Sequence, residues 1–249
     1  MRAKTSMKTI KIMVLSKKKI ERNSITVMIS FLLIYLIISL FFSNHFFFHT
    51  VINGVNVSLR AYDQTDQLFI RYIKNYKLEL IEKNGDKNEL KGCAINLKYN
   101  ENNNIFKIYH IQKATGWISS LFKYQNYDIK DLYVYDKEKL NEEVHKLKCL
   151  NRKVIEPENV RFTYSKGFYS VIEEVYGNKI NQKKLYKVIR DSISKGENKI
   201  DLEEKLCYEN PKYTVYSSKT HETRKLLNKY VSAQITYQFG SNYEKLDEV

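Results

Sequence analysis

The sequence predicts an α+β fold, in which one N-terminal transmembrane helix precedes an extracellular region of mixed helices and antiparallel strands. Three observations lead to this prediction. A long apolar run follows a cluster of basic residues near the N-terminus. Beyond that run, apolar residues recur at helical spacing in some segments and at every second position in others. Between alternating segments, Asn84-Gly85 and Lys166-Gly167 indicate the tight turns of β-hairpins.

Residues 1–23 are predicted to form a basic cytoplasmic tail. They contain eight Lys and Arg residues and one Glu, a net charge of +7 that is half of the chain's +14. Residues 24–48 then predict a transmembrane signal anchor, because a helix needs roughly 20 apolar residues to cross a bilayer. Basic residues on the N-terminal side predict a cytoplasmic N-terminus and an extracellular C-terminal region. The expected location is therefore the cell membrane, with a single span.

A cleaved signal peptide is the alternative to an anchor. The apolar run is longer than the roughly 7–15 residues of a signal-peptide core. The segment Ser43-Asn44-His45 that follows it is not a small-x-small cleavage site. Phe46, Phe47 and Phe48 with His49 are typical of an aromatic belt at a membrane surface. We therefore expect the segment to be retained.

The composition limits the classes of partner. Half of the net charge lies in the tail, and an extracellular position excludes cytoplasmic nucleic acid as a partner of the remainder. The other +7 suits anionic wall polymers and lipid headgroups. An aromatic content of 13% excludes a disordered basic tail, and three cysteines exclude a disulfide-dense scaffold.

The region after the anchor is predicted to form two α+β units, over residues 49–150 and 151–249, the second ending in an incomplete element. Asp136 and Asn181 are predicted N-caps of two helices, and Gly196 is the predicted C-terminal residue of the second. Alternation over Ile105 to His110 predicts a strand. The helix capped by Asp136 is predicted over 135–150, and two further helices are predicted over 63–75 and 226–230. The remaining predicted strands cover 77–82, 90–97, 161–164, 168–176, 199–202 and 232–239. Residues 101–104 are a predicted turn.

No catalytic, metal or cofactor site is predicted. The sequence contains no Cys-x-x-Cys, no His-Glu-x-x-His and no Gly-rich phosphate loop. On a strand, Glu173 and Glu174 would point to opposite faces and would not form an acid and base pair. Cys93, Cys149 and Cys207 are interpreted as small apolar residues of the core or its edge. The five histidines are scattered, without recognisable partners: His45, His49, His110, His145 and His221.

An ordered series of short matches runs from about Ile52 onward. Its members are Ile52-Asn53-Gly54-Val55, Tyr76-Lys77-Leu78, Trp117, Pro157-Glu158-Asn159-Val160, Ile172 through Gly177-Asn178 to Ile180, Ile200-Asp201-Leu202, Tyr208 with Pro211, Leu227-Asn228-Lys229-Tyr230, Ile235 to Gly240, and Leu246-Asp247. The series resembles the N-terminal, non-catalytic part of membrane-anchored L,D-transpeptidases of Gram-positive, clostridium-like bacteria, a part built from a peptidoglycan-binding domain. The resemblance implies a partner in the cell wall, either peptidoglycan or another anionic polymer.

The chain departs from that family at its catalytic end. In the family, a second binding unit and a catalytic domain with a His-Gly pair and a Ser-x-Gly-Cys motif follow. Here the only Gly-Cys pair is Gly92-Cys93, with Lys91 before it. We therefore expect a wall-associated binding protein without a catalytic domain. Two alternatives stay open: the truncated front half of an L,D-transpeptidase, and a structural or signalling ectodomain that binds a protein.

Three neighbouring residues are the candidates for contact with peptidoglycan. Exposed aromatic rings stack on sugar faces, which favours Trp117 and Tyr124. Lys123 between them would pair with a carboxylate. The alternative for Trp117 is that it fills the core.

Overall fold

The computed structural model describes residues 2–102, 105–232 and 235–246 of the 249-residue chain. The α-helices in these residues are α1 (Arg2–Phe41), α2 (Thr65–Lys74), α3 (Ile105–Ile111), α4 (Trp117–Ser120), α5 (Lys137–His145), α6 (Gln182–Lys195) and α7 (Ser218–Val231). The strands are β1 (Thr50–Ile52), β2 (Val55–Asn56), β3 (Lys77–Ile81), β4 (Lys87–Lys91), β5 (Lys98–Tyr99), β6 (Gln125–Tyr127), β7 (Tyr133–Val134), β8 (Arg161–Ser165), β9 (Phe168–Ile172), β10 (Lys199–Asp201), β11 (Ile235–Phe239) and β12 (Asn242–Leu246).

This mixture of helices and strands confirms the predicted α+β class. Five of the seven strand pairings in the described residues are antiparallel. The other two are parallel, β1 with β6 and β10 with β3. These two pairings join strands that are distant in the sequence, which local turn signals do not reveal.

Helix α1 contains one stretch, Arg22–Phe41, that is long and apolar enough to cross a membrane. By length and composition, it is the one such stretch among the described residues. The rest of the protein buries only 6% of it.

The chain forms two compact units that interleave along the sequence. Unit 1 comprises residues 1–75, 97–134 and 194–196, and unit 2 comprises residues 76–96, 135–193 and 197–249. The division into residues 49–150 and 151–249 stays a prediction from the sequence.

Unit 1 is organised around the sheet β2-β1-β6 and the pair β5-β7. Its fully buried side chains include Phe46, Ile52 and Phe69. Phe69 of α2 stacks on Tyr99 with ring centroids 5.4 Å apart. At the end of α1, Phe42 is 2% exposed and packs edge-on against Phe47. These contacts attach the segment that directly follows α1 to the aromatic core of the unit.

Asn53 connects the turn after β1 to two other segments of unit 1, through the following four hydrogen bonds. Its side-chain nitrogen donates to the carbonyls of Ile129 at 3.0 Å and Ser194 at 2.6 Å. Its side-chain oxygen accepts from the Ile129 amide at 2.8 Å, and its carbonyl accepts from the Tyr133 hydroxyl at 2.8 Å. Gly196 approaches this corner so closely that a Cβ on it would lie 1.9 Å from the Asn53 carbonyl oxygen. No side chain fits there.

Unit 2 contains the sheet β10-β3-β4, the hairpin β8-β9 and the hairpin β11-β12. Leu78 and Leu80 of β3 are fully buried, together with Leu185 and Ile189 of α6. Asn228 of α7 extends the edge of β9, because its amide accepts from the Tyr169 nitrogen at 2.6 Å and donates to the Tyr169 carbonyl at 3.1 Å. Asn228 belongs to a matched segment to which the sequence assigned no role.

Several local predictions are confirmed. Asp136 caps α5 by accepting from the Lys139 amide at 3.1 Å, and Asn181 accepts from the Lys184 amide at 3.0 Å. Gly196 follows α6 with a φ of +67°. Gly85 has a φ of +84° in the turn between β3 and β4. At these caps and turns, the backbone conformation predicted from neighbouring residues is the conformation found in the structure.

Three strand predictions are corrected. The segment predicted as a strand from Ile105 is helix α3, whose buried residues Ile105 and Ile108 lie three apart. The apolar positions of this short segment are compatible with both periods, so alternation alone cannot decide between strand and helix. The strand predicted over 90–97 ends at Lys91, where a 3₁₀ turn over Gly92–Ile95 begins. The strand predicted over 168–176 ends at Ile172.

Several predicted features extend beyond the described residues, among them the strand predicted over 232–239, of which residues 233 and 234 lie outside. Asn103 and Asn104 of the predicted turn lie outside them, whereas Glu101 and Asn102 form a turn. Asp247 of the matched pair Leu246-Asp247 also lies outside.

Candidate functional site

A polar cavity of ≈ 340 Å³ lies at the end of β3 in unit 2. It is lined by Glu82, Lys83, Asn84, Arg152, Gly177, Asn178 and Tyr208. Strand β3 delivers the first three residues, because it ends at Ile81 and leads directly into the Asn84-Gly85 turn. The other four come from two segments that follow α5 and α6.

A buried ion pair forms one wall of the cavity. The Glu82 side chain is 2% exposed, and its Oε2 lies 2.6 Å from Arg152 Nη2. Its Oε1 accepts from the Asn88 side chain at 2.5 Å. Asn88 in turn accepts from the Lys148 amide at 2.9 Å, which fixes the turn before Arg152. Both carboxylate oxygens thus have partners, as a buried charge requires.

Arg152 also reaches a second carboxylate at the surface. Its Nη2 lies 3.0 Å from Asp86 Oδ2. A hydrogen bond from Asn84, and then one from Arg152, lowers the pKa of the Asp86 carboxyl. The Arg152 Nε is buried and has no acceptor among the described residues. One donor of the guanidinium is therefore buried and unpaired among the described residues, while Nη2 is shared between two carboxylates.

The opposite wall depends on a glycine. A Cβ on Gly177 would lie 2.2 Å from the Ile155 carbonyl oxygen, and its φ is +61°. The neighbouring Asn178 side chain accepts from the Ile155 amide at 2.7 Å and donates to the Lys153 carbonyl at 3.1 Å. These bonds hold the segment after Arg152 against the cavity.

The cavity entrance carries a cation and an aromatic ring. Lys83 Nζ lies 5.2 Å from the Tyr176 ring centroid and 3.7 Å from Glu203 Oε1. The Lys83 amide donates to the Tyr208 hydroxyl at 3.0 Å, and burial raises the pKa of Tyr208. The site thus offers the cationic groups of Lys83 and Arg152, with the ring of Tyr176 beside Lys83. This set suits a polar ligand such as a sugar or a short peptide.

Residues 89–201 match a family model described as "Putative peptidoglycan binding domain". The chain therefore contains a peptidoglycan-binding domain. The matched segment includes Arg152, Gly177 and Asn178 of the cavity, and also Trp117, Lys123 and Tyr124. No match was found among curated proteins or among solved structures.

The three predicted contact residues of this peptidoglycan-binding domain lie in unit 1. The Trp117 ring packs 6.2 Å from Phe42 and 6.0 Å from Tyr35, and its indole nitrogen is buried without an acceptor among the described residues. Tyr124 is 80% exposed and lies 4.7 Å from the His49 ring. Lys123 is exposed. Lys123 and Tyr124 are thus accessible, while Trp117 is partly covered by α1.

Nothing in the sequence singles out Glu82 or Arg152. They lie far apart along the chain, and neither belongs to a motif with characteristic spacing. Gly177, Asn178 and Tyr208 are part of the matched series, but their role emerged only when β3 and the segment after α5 came together. The signal that the sequence did contain was an acidic residue, Glu82, directly after the apolar residues Leu80 and Ile81.

Cys149 lies beside the ion pair but is not suited to nucleophilic chemistry. Burial, and then the negative charge of Glu82, raises the pKa of its thiol to about 11. The thiolate is the reactive form, so this environment suppresses reactivity. Among the described residues, no group of three or more His, Cys, Asp or Glu side chains is placed to hold a metal ion.

We expect only one of the three thiols to react with a maleimide in the folded chain. Cys93 is exposed, whereas Cys149 and Cys207 are buried and burial raises the pKa of both. A pKa two units above the ordinary value lowers the thiolate fraction of Cys149 by about 100-fold. Mass spectrometry would show one adduct in the native protein and three after denaturation. A Cys93→Ser control should remove the native adduct, and rapid native labelling of Cys149 would contradict the assignment.

Proposed function

We propose that this chain is a single-pass protein of the cell membrane whose extracellular region binds peptidoglycan. The match of residues 89–201 to a peptidoglycan-binding domain carries the proposal. The apolar helix and the polar cavity each add a separate argument.

The membrane part is supported by the length and exposure of α1. The stretch Arg22–Phe41 has 20 residues, which span about 30 Å as a helix, close to the thickness of a bilayer core. Ile37 is 65% exposed and Leu40 is 71% exposed, so this surface needs an apolar environment that the protein does not supply. The basic tail before it favours a cytoplasmic N-terminus.

The binding part is supported by the chemistry of the cavity. Peptidoglycan presents sugar hydroxyls, amides and carboxylates. Lys83 and Arg152 provide donors for carboxylates and carbonyls, and Tyr176 provides a ring face beside Lys83. The fixed ion pair preorganises these groups, which reduces the ordering cost of binding.

Sedimentation of the full chain with purified, insoluble peptidoglycan tests this function. We expect the detergent-solubilised protein to co-sediment, and Lys83→Ala to weaken binding about tenfold through loss of one charge-assisted contact. Lys146→Ala is the matched control, because it removes an exposed lysine of the same unit, paired at 2.8 Å with Glu143. Absence of sedimentation above a charge-matched basic protein would refute peptidoglycan binding.

Two further variants locate the binding surface. If Lys123→Ala and Tyr124→Ala weaken sedimentation while Lys83→Ala does not, the surface predicted from the sequence is the binding surface and the cavity is not. If only Lys83→Ala has an effect, the cavity is the site. Circular dichroism of each variant would show that the fold is retained.

We further propose that the chain is related to the membrane-anchored, non-catalytic part of the L,D-transpeptidases of Gram-positive bacteria. The ordered series of matches supports this proposal, and Asn53, Gly177 and Asn228 of that series occupy positions of defined structural use. The DNA that follows the codon of Val249 is the test. A frame encoding Ser-x-Gly-Cys there would support the relationship, and a frame encoding an unrelated domain would contradict it.

A further inference from the structure

Four large apolar side chains in one short stretch of unit 1 are exposed. Ile111 is 68% exposed and Phe122 is 83% exposed. The other two are Ile118, 48% exposed, and Leu121, 40% exposed. We name these four residues the apolar ledge. They lie within one short stretch of chain that includes the end of α3 and all of α4.

The stretch that carries the ledge is attached to the C-terminal end of α1. The Tyr35 hydroxyl of α1 donates to the Thr115 carbonyl at 2.8 Å. Trp117 packs on the rings of Tyr35 and Phe42. After the helix, His49 Nδ1 lies 3.0 Å from the Ser120 carbonyl oxygen. The ledge is therefore fixed relative to α1 by contacts on both sides of Trp117.

These contacts set the depth of the ledge along α1. Tyr35 precedes Phe41 by six residues, which is about 9 Å along a helix. Side chains on a helix lean towards its N-terminus, so Thr115 lies no nearer the helix end than Tyr35 does. Amphipathic segments at a membrane surface typically sit about 5–10 Å into the boundary between headgroups and acyl chains. The Tyr35 contact places Thr115 and Trp117 at that level.

We infer that the apolar ledge inserts into the outer leaflet beside α1 and that its ligand is phospholipid. The inference rests on the membrane span proposed above. Exposed apolar residues of α1 near the same level, including Ile37 and Leu40, need the same surroundings, and one lipid layer covers both surfaces. Lys113 and Lys123 are exposed and flank the ledge in the chain, where they would meet lipid phosphates.

Fluorescence quenching by brominated lipids tests the inference directly, because Trp117 is the only tryptophan of the chain. The full chain is reconstituted into vesicles of phosphatidylcholine and phosphatidylglycerol brominated near the headgroup end of the acyl chains. We expect Trp117 to lose most of its emission. To probe the ledge itself, Phe122→Trp is made in a Trp117→Phe background, and this variant should also lose most of its emission.

The matched control is the same Phe122→Trp variant in vesicles of the same lipids without bromine, where it should keep its emission. Equal emission of this variant with and without brominated lipid would overturn the ledge inference. Concentration-dependent cross-linking through the ledge, with no quenching, would also overturn it and would identify a second copy as the occupant.

Flotation of the reconstituted chain in alkaline carbonate separates the two proposals. A chain that floats but is not quenched at position 122 keeps its span and loses the ledge insertion. A chain that does not float has no span, and the ledge inference falls with it. Unchanged circular dichroism of the variants would show that these readings come from folded protein.

Discussion

Replacement of Gly196 by alanine is expected to destabilise unit 1 by about 2–5 kcal/mol, which combines the cost of a left-handed conformation with that of overpacking. The φ of Gly196 is +67°, and the new Cβ would lie 1.9 Å from the Asn53 carbonyl oxygen. The clash is with backbone, so no rotamer change relieves it. Movement of Asn53 would break its hydrogen bonds to Ile129, Ser194 and Tyr133.

Thermal unfolding of the full chain in detergent measures this effect, with Trp117 emission reporting unit 1 and circular dichroism reporting both units. For a chain of this size the expected fall in Tm is about 5–15 °C. Gly85→Ala is the matched control, since Gly85 also has a positive φ, +84°, but nothing lies within 4 Å of its Cβ position. That substitution should cost only about 1–2 kcal/mol. Similar losses in both variants would show that the approach to Asn53 is unimportant.

Replacement of Arg152 by methionine is expected to destabilise unit 2 by about 3–5 kcal/mol. The change keeps much of the side-chain volume but leaves the Glu82 carboxylate buried, with its side chain 2% exposed, and without a cation. Asn88 would remain its hydrogen-bond donor, at 2.5 Å. An unpaired charge in this position costs far more than the loss of an exposed pair.

A double-mutant cycle separates the pair from the packing around it. Glu82→Leu combined with Arg152→Met removes both charges, and we expect it to recover most of the lost stability. Lys146→Ala, which breaks the exposed pair with Glu143, should cost at most about 1 kcal/mol. Circular dichroism melts of the wild type, the two single variants, the double variant and Lys146→Ala would measure these effects. Additive effects of the two cavity substitutions would mean that Glu82 and Arg152 do not act as a pair.

The sequence predicts this fold well wherever a feature depends on neighbouring residues. Asp136 and Asn181 cap helices because their side chains accept from amides three residues ahead, a distance visible in the sequence. The turn at Asn84-Gly85 is equally local. The apolar stretch after the basic tail predicts a helix, and α1 covers it.

What the sequence could not predict depends on contacts between distant segments. The parallel pairing of β10 with β3, the Glu82–Arg152 pair and the approach of Gly196 to Asn53 each join parts of the chain that no short motif relates. Helix α3 was predicted as a strand because its run of apolar residues fits either period, and only the burial of Ile105 with Ile108 distinguishes them.

The interleaving of the two units affects how the peptidoglycan-binding domain can be isolated. A fragment cut at residues 89–201 would omit β3, the middle strand of the sheet β10-β3-β4. It would also omit Glu82 and leave the guanidinium of Arg152 without its buried partner. The sequence limits of the family match therefore do not coincide with a unit that can fold, and a fragment intended for binding studies should begin before Tyr76 and extend beyond Tyr208.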